Sequence, residues 1–266
     1  PAPSTEATRR RKPASASLTG ASLVEEPLPD PSPSSINSKN DDILENLGEP
    51  KGSCCARDDS HCHSQANSIN SQFSSLPLRQ CLTLLFRNAP YERLLEFCES
   101  DPRIKAILSS SEAEDEHKLL GNDPAGHSLC HWAAKRSDVR FLSFLSDQLY
   151  PALYPSAESR AFSELSAPAT DDAALSPLHW AAADGHTAVI AMLLSLMSSP
   201  EARKASVNQT STSNGATPLI VSCQYGHSTT AALLALRHDA DVMATDNNGD
   251  TALHWAAYKG DVPTLA

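Results

Sequence analysis

The sequence predicts an all-α fold built as a row of stacked helix–turn–helix units, and three observations predict it. One short pattern recurs four times, over residues 123–145, 171–194, 212–234 and 246–266. Inside each recurrence the small and apolar residues fall at helical spacing rather than in alternation. A hydroxyl residue opens each recurrence, and in three of the four a glycine stands where a first helix would stop. A unit repeated at a near-fixed period cannot bury its apolar face alone, so neighbours cover one another in an elongated array.

The first helix of each unit starts at Ser128, Ser176, Thr217 or Thr251, where a side-chain oxygen satisfies an otherwise unpaired helix N–H. Pro177 and Pro218 follow at the first helical position, which needs no amide hydrogen. Ala133, Ala134, Ala181, Ala182, Ala256 and Ala257 let that helix approach its neighbours closely. Gly185, Gly226 and Gly260 supply the left-handed backbone that ends it. Val189, Ile190, Leu193 and Leu194, or Ala231, Leu233 and Leu234, then give the second helix a buried stripe. The hydroxyl residues are spaced by 48, 41 and 34 residues. The excess over a 33-residue period is expected in loops within residues 148–169 and 197–210, both rich in Ser, Pro and Ala. Ahead of the pattern, residues 82–109 hold a helix pair broken at Pro90, which suits an atypical cap on the first unit. The expected organisation is a capping segment at 79–120 and units at 121–150, 170–200, 211–244 and 245–266, the last of them cut short.

Residues 1–78 read as a disordered tail. Their first 75 positions hold 15 Ser and 8 Pro and a lone aromatic, Phe73, too few large apolar groups to offset the entropy of ordering. The runs at 23–28 and 43–47 are too short to hold a helix without a partner. Arg9, Arg10, Arg11 and Lys12 form a basic cluster that reads as an import signal, a contact for acidic lipid head groups, or simply a solvated charge run. The formal net charge of −11 repels phosphate backbones and excludes a nucleic-acid binder. No run approaches 18 apolar residues, so no membrane-spanning helix is expected. Seven cysteines without framework spacing point to a reducing, cytosolic setting. A first residue that is not methionine and a last helix that reads as unfinished lead us to expect a fragment.

Ten histidines raise the question of metal or acid–base chemistry, yet His131, His179 and His254 share one repeat position and His186 and His227 another. That regularity assigns them to capping, to inter-unit contact and to the Gly-His turn. Cys54, Cys55, His61, Cys62 and His63 place soft ligands together without a closed zinc spacing. Cys54 and Cys55 equally fit an S-acylation site. No nucleophile elbow, phosphate-binding glycine loop or Cys-His pair is found, so no catalytic residue, metal or cofactor is expected. Trp132, Trp180 and Trp255 are all the tryptophans of the chain, and each follows the repeat histidine. Two readings stay open for them: partly exposed anchors for an extended peptide, or filling of the space between units.

The T-P-L-H-x-A pattern, as SPLHWA at 176–181 and TALHWA at 251–256, is that of the ankyrin repeat. The His-Trp dipeptides, QYGH at 224–227, DNNGDTALHWAAYKG at 246–260 and the lead-in YERLLEFC at 91–98 resemble the N-terminal arrays of the DHHC-type ankyrin palmitoyltransferases. The resemblance implies a recruiting array on the cytosolic face of an internal membrane such as the Golgi, with acyl transfer to cysteine performed by a membrane domain further along a longer chain. It implies that short linear motifs of protein substrates are read by the Trp of a P-L-H-W segment, here Trp180, together with an Asn that this sequence replaces by Arg136. The Asp59-Ser60-His61-Cys62 run lacks the cysteine-rich surroundings of that family's catalytic motif. The resulting candidate peptide-binding set is Trp132, Arg136, Trp180, Tyr225 and Trp255. The alternative is a stand-alone ankyrin adaptor of the cytoplasm or nucleus with no enzyme attached.

Overall fold

A hydroxyl residue starts the first helix of every repeated unit in the computed structural model, which describes residues 73, 75–109, 122–153, 167–197 and 199–265. The cap comprises α1 (Leu78–Asn88), α2 (Tyr91–Ser100) and α3 (Pro102–Ser109). The first unit pairs α4 (Leu129–Lys135) with α5 (Arg140–Phe144), which runs on through a π-helical turn (Leu145–Leu149) into α6 (Tyr150–Leu153). The second pairs α7 (Pro177–Ala183) with α8 (Thr187–Leu196), and α9 (Pro200–Val207) follows it. The third pairs α10 (Pro218–Gln224) with α11 (Ser228–Arg237), and the fourth α12 (Ala252–Lys259) with α13 (Val262–Leu265). The inner helices α1, α4, α7, α10 and α12 stack in that order, with the second helices behind them. The only β pairing among the described residues is an isolated bridge between Thr245 and Thr251. No helix among the described residues is long and apolar enough to cross a membrane.

Small inner-helix residues permit this stacking. Ala133, Ala134, Ala181, Ala182 and Ala256 are fully buried, with Val189, Ile190, Leu193, Leu194 and Leu234 closing the core from the second helices. The cap adds Leu82, Leu85, Phe86, Leu94, Phe97 and Ile104. Folded structure begins earlier than the expected boundary at residue 79. Phe73 is buried and meets Phe97 edge-on at 5.6 Å, while Arg103, paired with Asp101 at 2.6 Å, donates to the carbonyls of Phe73 and Leu76. A lone aromatic in a Ser/Pro-rich stretch has no periodicity, so the sequence alone assigned it to the tail. The cap also holds a third helix where a pair was expected. The rest of the tail, including residues 23–28 and 43–47, Arg9–Lys12 and the Cys54–His63 cluster, lies outside the described residues.

The expected loop at 197–210 is a helix. Ser199 accepts the N–H of Ala202, Pro200 occupies the first helical position, and Val207 anchors α9 in the core. Its Ser-Pro-Glu start is a helix signal that composition alone obscured. Part of the 48-residue first spacing is likewise spent in the π-helical turn and α6, where Leu149 and Tyr150 are buried.

Between units the chain makes a tight turn, and each turn bonds the next: Thr170 N–H to Gly126 O at 2.9 Å, Thr212 N–H to Ala173 O at 3.1 Å, and Asn247 N–H to Asn214 O at 2.8 Å. The fourth residue of the turn is left-handed. Gly126 has φ +89°, and a Cβ there would stand 2.8 Å from the Asp171 backbone N. In the second unit the same place is taken by Ala174 at φ +45°. Gly126→Ala is therefore expected to cost at least about 1 kcal/mol and Ala174→Gly to gain up to about 1 kcal/mol, read as opposite shifts of the urea midpoint. A shift of the same sign in both would contradict the turn geometry.

Candidate functional site

The repeat histidines bind across the unit junctions. The Ser128 N–H donates to His131 Nδ1 at 3.1 Å, with Ser128 Oγ 2.8 Å from the same nitrogen. An Nδ1 that accepts leaves the proton on Nε2, which donates to the Leu175 carbonyl of the next unit at 2.9 Å. His179 repeats this with Ser176 and the Ala216 carbonyl at 3.1 Å. Burial pushes both imidazoles down to about 4, so they are neutral at pH 7. His254 makes the same contact to Thr251 but is exposed. His186 and His227 reach back to the carbonyls of Ala134 and Ala183 at 3.2 and 2.8 Å. The structural reading of these five histidines agrees with their positions in the repeat.

The tryptophans differ from one another. Trp132 and Trp180 touch at 5.3 Å, nearly perpendicular, with His127 against both rings. Their relative exposures are 3% and 1%, so the partial exposure expected of a peptide anchor is not found in either. The physical reason is that position 132 lies beneath the guanidinium of Arg87, 5.2 Å from the ring centre, and Trp180 is enclosed by Trp132, His127 and His131. Trp255 is only half-buried and lies 6.0 Å from the exposed Tyr258. Tyr225, the C-cap of α10, also retains exposed surface. Arg136, the C-cap of α4, places its guanidinium over Phe141 at 4.6 Å and an N–H on the Phe86 carbonyl at 3.3 Å. Burial lowers its pKa from the ordinary guanidinium value. The five candidates thus divide into a buried contacting pair and three partly exposed residues, on the inner helices of the first, third and fourth units.

Sequence reasoning missed the partners of the indoles. Trp132 Nε1 donates to Asp123 Oδ2 at 3.1 Å and Trp255 Nε1 to Asp246 Oδ2 at 2.9 Å. In each case Oδ1 of the same carboxylate accepts two backbone N–H groups of the turn. Burial opposes ionisation of Asp123, but bonds from His127 and Trp132 hold its carboxyl below the usual range. The signal was present: an Asp nine residues before each Trp, and, in the third unit, Thr212 nine residues before Val221. Asp171 keeps the spacing to Trp180, yet faces His127 at 3.4 Å and the Ala174 amide instead.

Elsewhere, the large exposed apolar side chains gather toward the fourth unit, with Leu236, Met243, Tyr258 and Val262 the most exposed. Buried thiols are inert at neutral pH: Cys98 is pushed up to about 12 and Cys223 to about 11 by desolvation. Among the described residues no cluster of three or more His, Cys, Asp and Glu has a geometry that could hold a metal ion.

A rice protein (Oryza sativa subsp. japonica), "Probable E3 ubiquitin-protein ligase XBOS32", is 38% identical over 91 residues, 34% of this chain. The match spans only 16% of that relative's length. A chain in the crystal structure of the yeast ribosomal protein Rps3 in complex with its chaperone Yar1 superposes with a TM-score of 0.42 at 24% identity, covering 51% of this chain and 85% of that one. The family description for ankyrin repeats in three copies matches residues 131–246 and 203–265, together just over half of the 266 residues. With four capped helix pairs, inter-unit histidine bonds and left-handed turns in place, the chain belongs to the ankyrin-repeat family.

Proposed function

We propose that the array is a protein-interaction module that holds extended segments of partner proteins along its inner helices. The observation that carries this reading is the unbroken row of inner helices on which Arg136, Tyr225 and Trp255 keep accessible surface. Panning the full chain against displayed random peptides is expected to enrich one linear motif. Tyr225→Ala and Trp255→Ala should each weaken binding of a purified peptide of that motif about tenfold, or about 1.4 kcal/mol, above the roughly 1 kcal/mol that marks a contributing interface residue, without loss of helicity. No enrichment would end the reading.

The His-Trp dipeptides and the 91–98 lead-in support the further proposal that the module recruits substrates for a membrane protein S-palmitoyltransferase, on the cytosolic face of an internal membrane such as the Golgi. The 38% identity to a rice protein named as an E3 ubiquitin-protein ligase favours a second reading, recruitment for ubiquitin transfer. A stand-alone adaptor of the cytoplasm or nucleus is the third. Acyl exchange and ubiquitination of a motif-bearing partner, measured in cells expressing the complete coding sequence, separate them: label on cysteine, ubiquitin on the partner, or neither.

A further inference from the structure

Three arginines near the first junction lie on three aromatic rings: Arg87 on Trp132 at 5.2 Å, Arg136 on Phe141 at 4.6 Å, and Arg140 on Tyr91 at 4.8 Å. Phe86 and Phe141 are in edge contact at 5.1 Å, so the ring beneath Arg136 packs against the residue that precedes Arg87 in α1. Arg140 is neutralised there by Asp138 at 2.6 Å and Glu92 at 2.8 Å. The nearby Lys135 is neutralised by Asp184 at 3.1 Å. Arg87 and Arg136 have no carboxylate within ion-pair distance among the described residues. They converge on the same stretch of α1, since Arg136 donates to the carbonyl of Phe86, which Arg87 follows. That single bond leaves most of the Arg136 fork of five donors unused. Asp138, committed to Arg140, acts on Arg136 only from beyond ion-pair distance.

We propose that Arg87 and Arg136 form the charge-selective point of the interaction face, gripping the oxyanion of an acidic or phosphorylated residue in a bound peptide. The proposal rests on the peptide-binding reading above and adds the chemistry of its ligand. Aromatic floors hold both guanidiniums in place, so little side-chain entropy is lost on binding, and planar forks match carboxylate and phosphate geometry. The overall negative charge disfavours polyanions such as nucleic acid and admits a short segment with one or two acidic groups.

The test uses pools of random octapeptides bearing a fluorophore, with one position at a time fixed as Glu, phosphoserine, Gln or Lys, titrated with the full chain at low and high salt. At one position the Glu or phosphoserine pool should bind roughly tenfold tighter than the Gln pool, the Lys pool weakest, and the difference should shrink with salt. Glu above phosphoserine assigns a carboxylate, the reverse a phosphate. Arg87→Gln and Arg136→Gln should each remove most of the acidic preference and leave the Gln pool unchanged. Circular dichroism checks the fold, and Arg136→Lys, which keeps the charge without the fork, replaces any variant that does not fold and should retain only part of the preference. Equal binding of all pools, or an acidic preference that survives both substitutions, overturns the site while leaving the module reading intact. Failure of every pool to bind overturns both.

Discussion

Trp180→Ala is expected to destabilise the array by about 3–5 kcal/mol, the range for deleting a fully buried large aromatic. The side chain is 1% exposed and contacts Trp132, His127 and His131, so its removal opens a cavity at the first junction and strips three rings of packing at once. Total stabilities of single domains are on the order of 5–15 kcal/mol, which places this variant near unfolding at 37 °C. Trp255→Ala, at a half-buried site, should cost much less, about 1–2 kcal/mol. Urea unfolding of the two variants side by side checks the ordering. A Trp180→Ala loss below about 1 kcal/mol would contradict the burial described above. The pair also guards against a misreading: weaker partner capture by Trp180→Ala would report lost fold, and Trp255 and Tyr225 are the proper probes of contact.

Acid is expected to weaken the array through His131 and His179. Both are neutral in the folded chain down to about pH 4, whereas in the unfolded chain they titrate near 6.5. Between those values the unfolded state binds more protons, so stability falls as pH drops from about 6.5 and stops falling on their account below about 4. The gap corresponds to roughly 3 kcal/mol for each histidine at the acid end. The third unit supplies the control: Ile220 occupies the histidine position, and Thr217 caps its amide directly at 3.3 Å. His179→Ile should therefore flatten the dependence of unfolding free energy on pH between 7 and 4.5. An unchanged slope would show that the imidazole is not held neutral by burial.

The fold was legible because its signals are local and repeated. A hydroxyl, a histidine and two alanines at fixed intervals identify the inner helix of three units, and in the third, where Ile220, Ser222 and Cys223 take the later places, Thr217 and Pro218 still mark its start. What was not legible depends on neighbours. The helix at Pro200–Val207 hid in a stretch whose composition resembles a linker, although Ser199 and Pro200 announced it. Phe73 belongs to the cap through contacts with Phe97 and Arg103, residues 24 and 30 positions away in the chain, and no periodicity reaches that far. Which tryptophans are buried was not legible for the same reason: Arg87 covers Trp132 from a helix of different sequence pattern. Arg136 was legible as a departure from a family pattern, but that it makes no close ion pair among the described residues emerges only once Asp138, Glu92 and Asp184 are seen bonded to other cations.

The two polar devices of the array differ in where their partners are encoded, and that difference bears on how such chains change length. Asp123 and Trp132, or Asp246 and Trp255, reside in one unit, so duplication of a unit copies donor and acceptor together, and the third unit, with Thr212 and Val221 at those places, does without both. The imidazole reaches outside its unit, but to a main-chain oxygen that every neighbour offers. Neither device requires matched mutations in adjacent units, which frees an inheritance of whole modules from the need for side-chain co-adaptation at each new border.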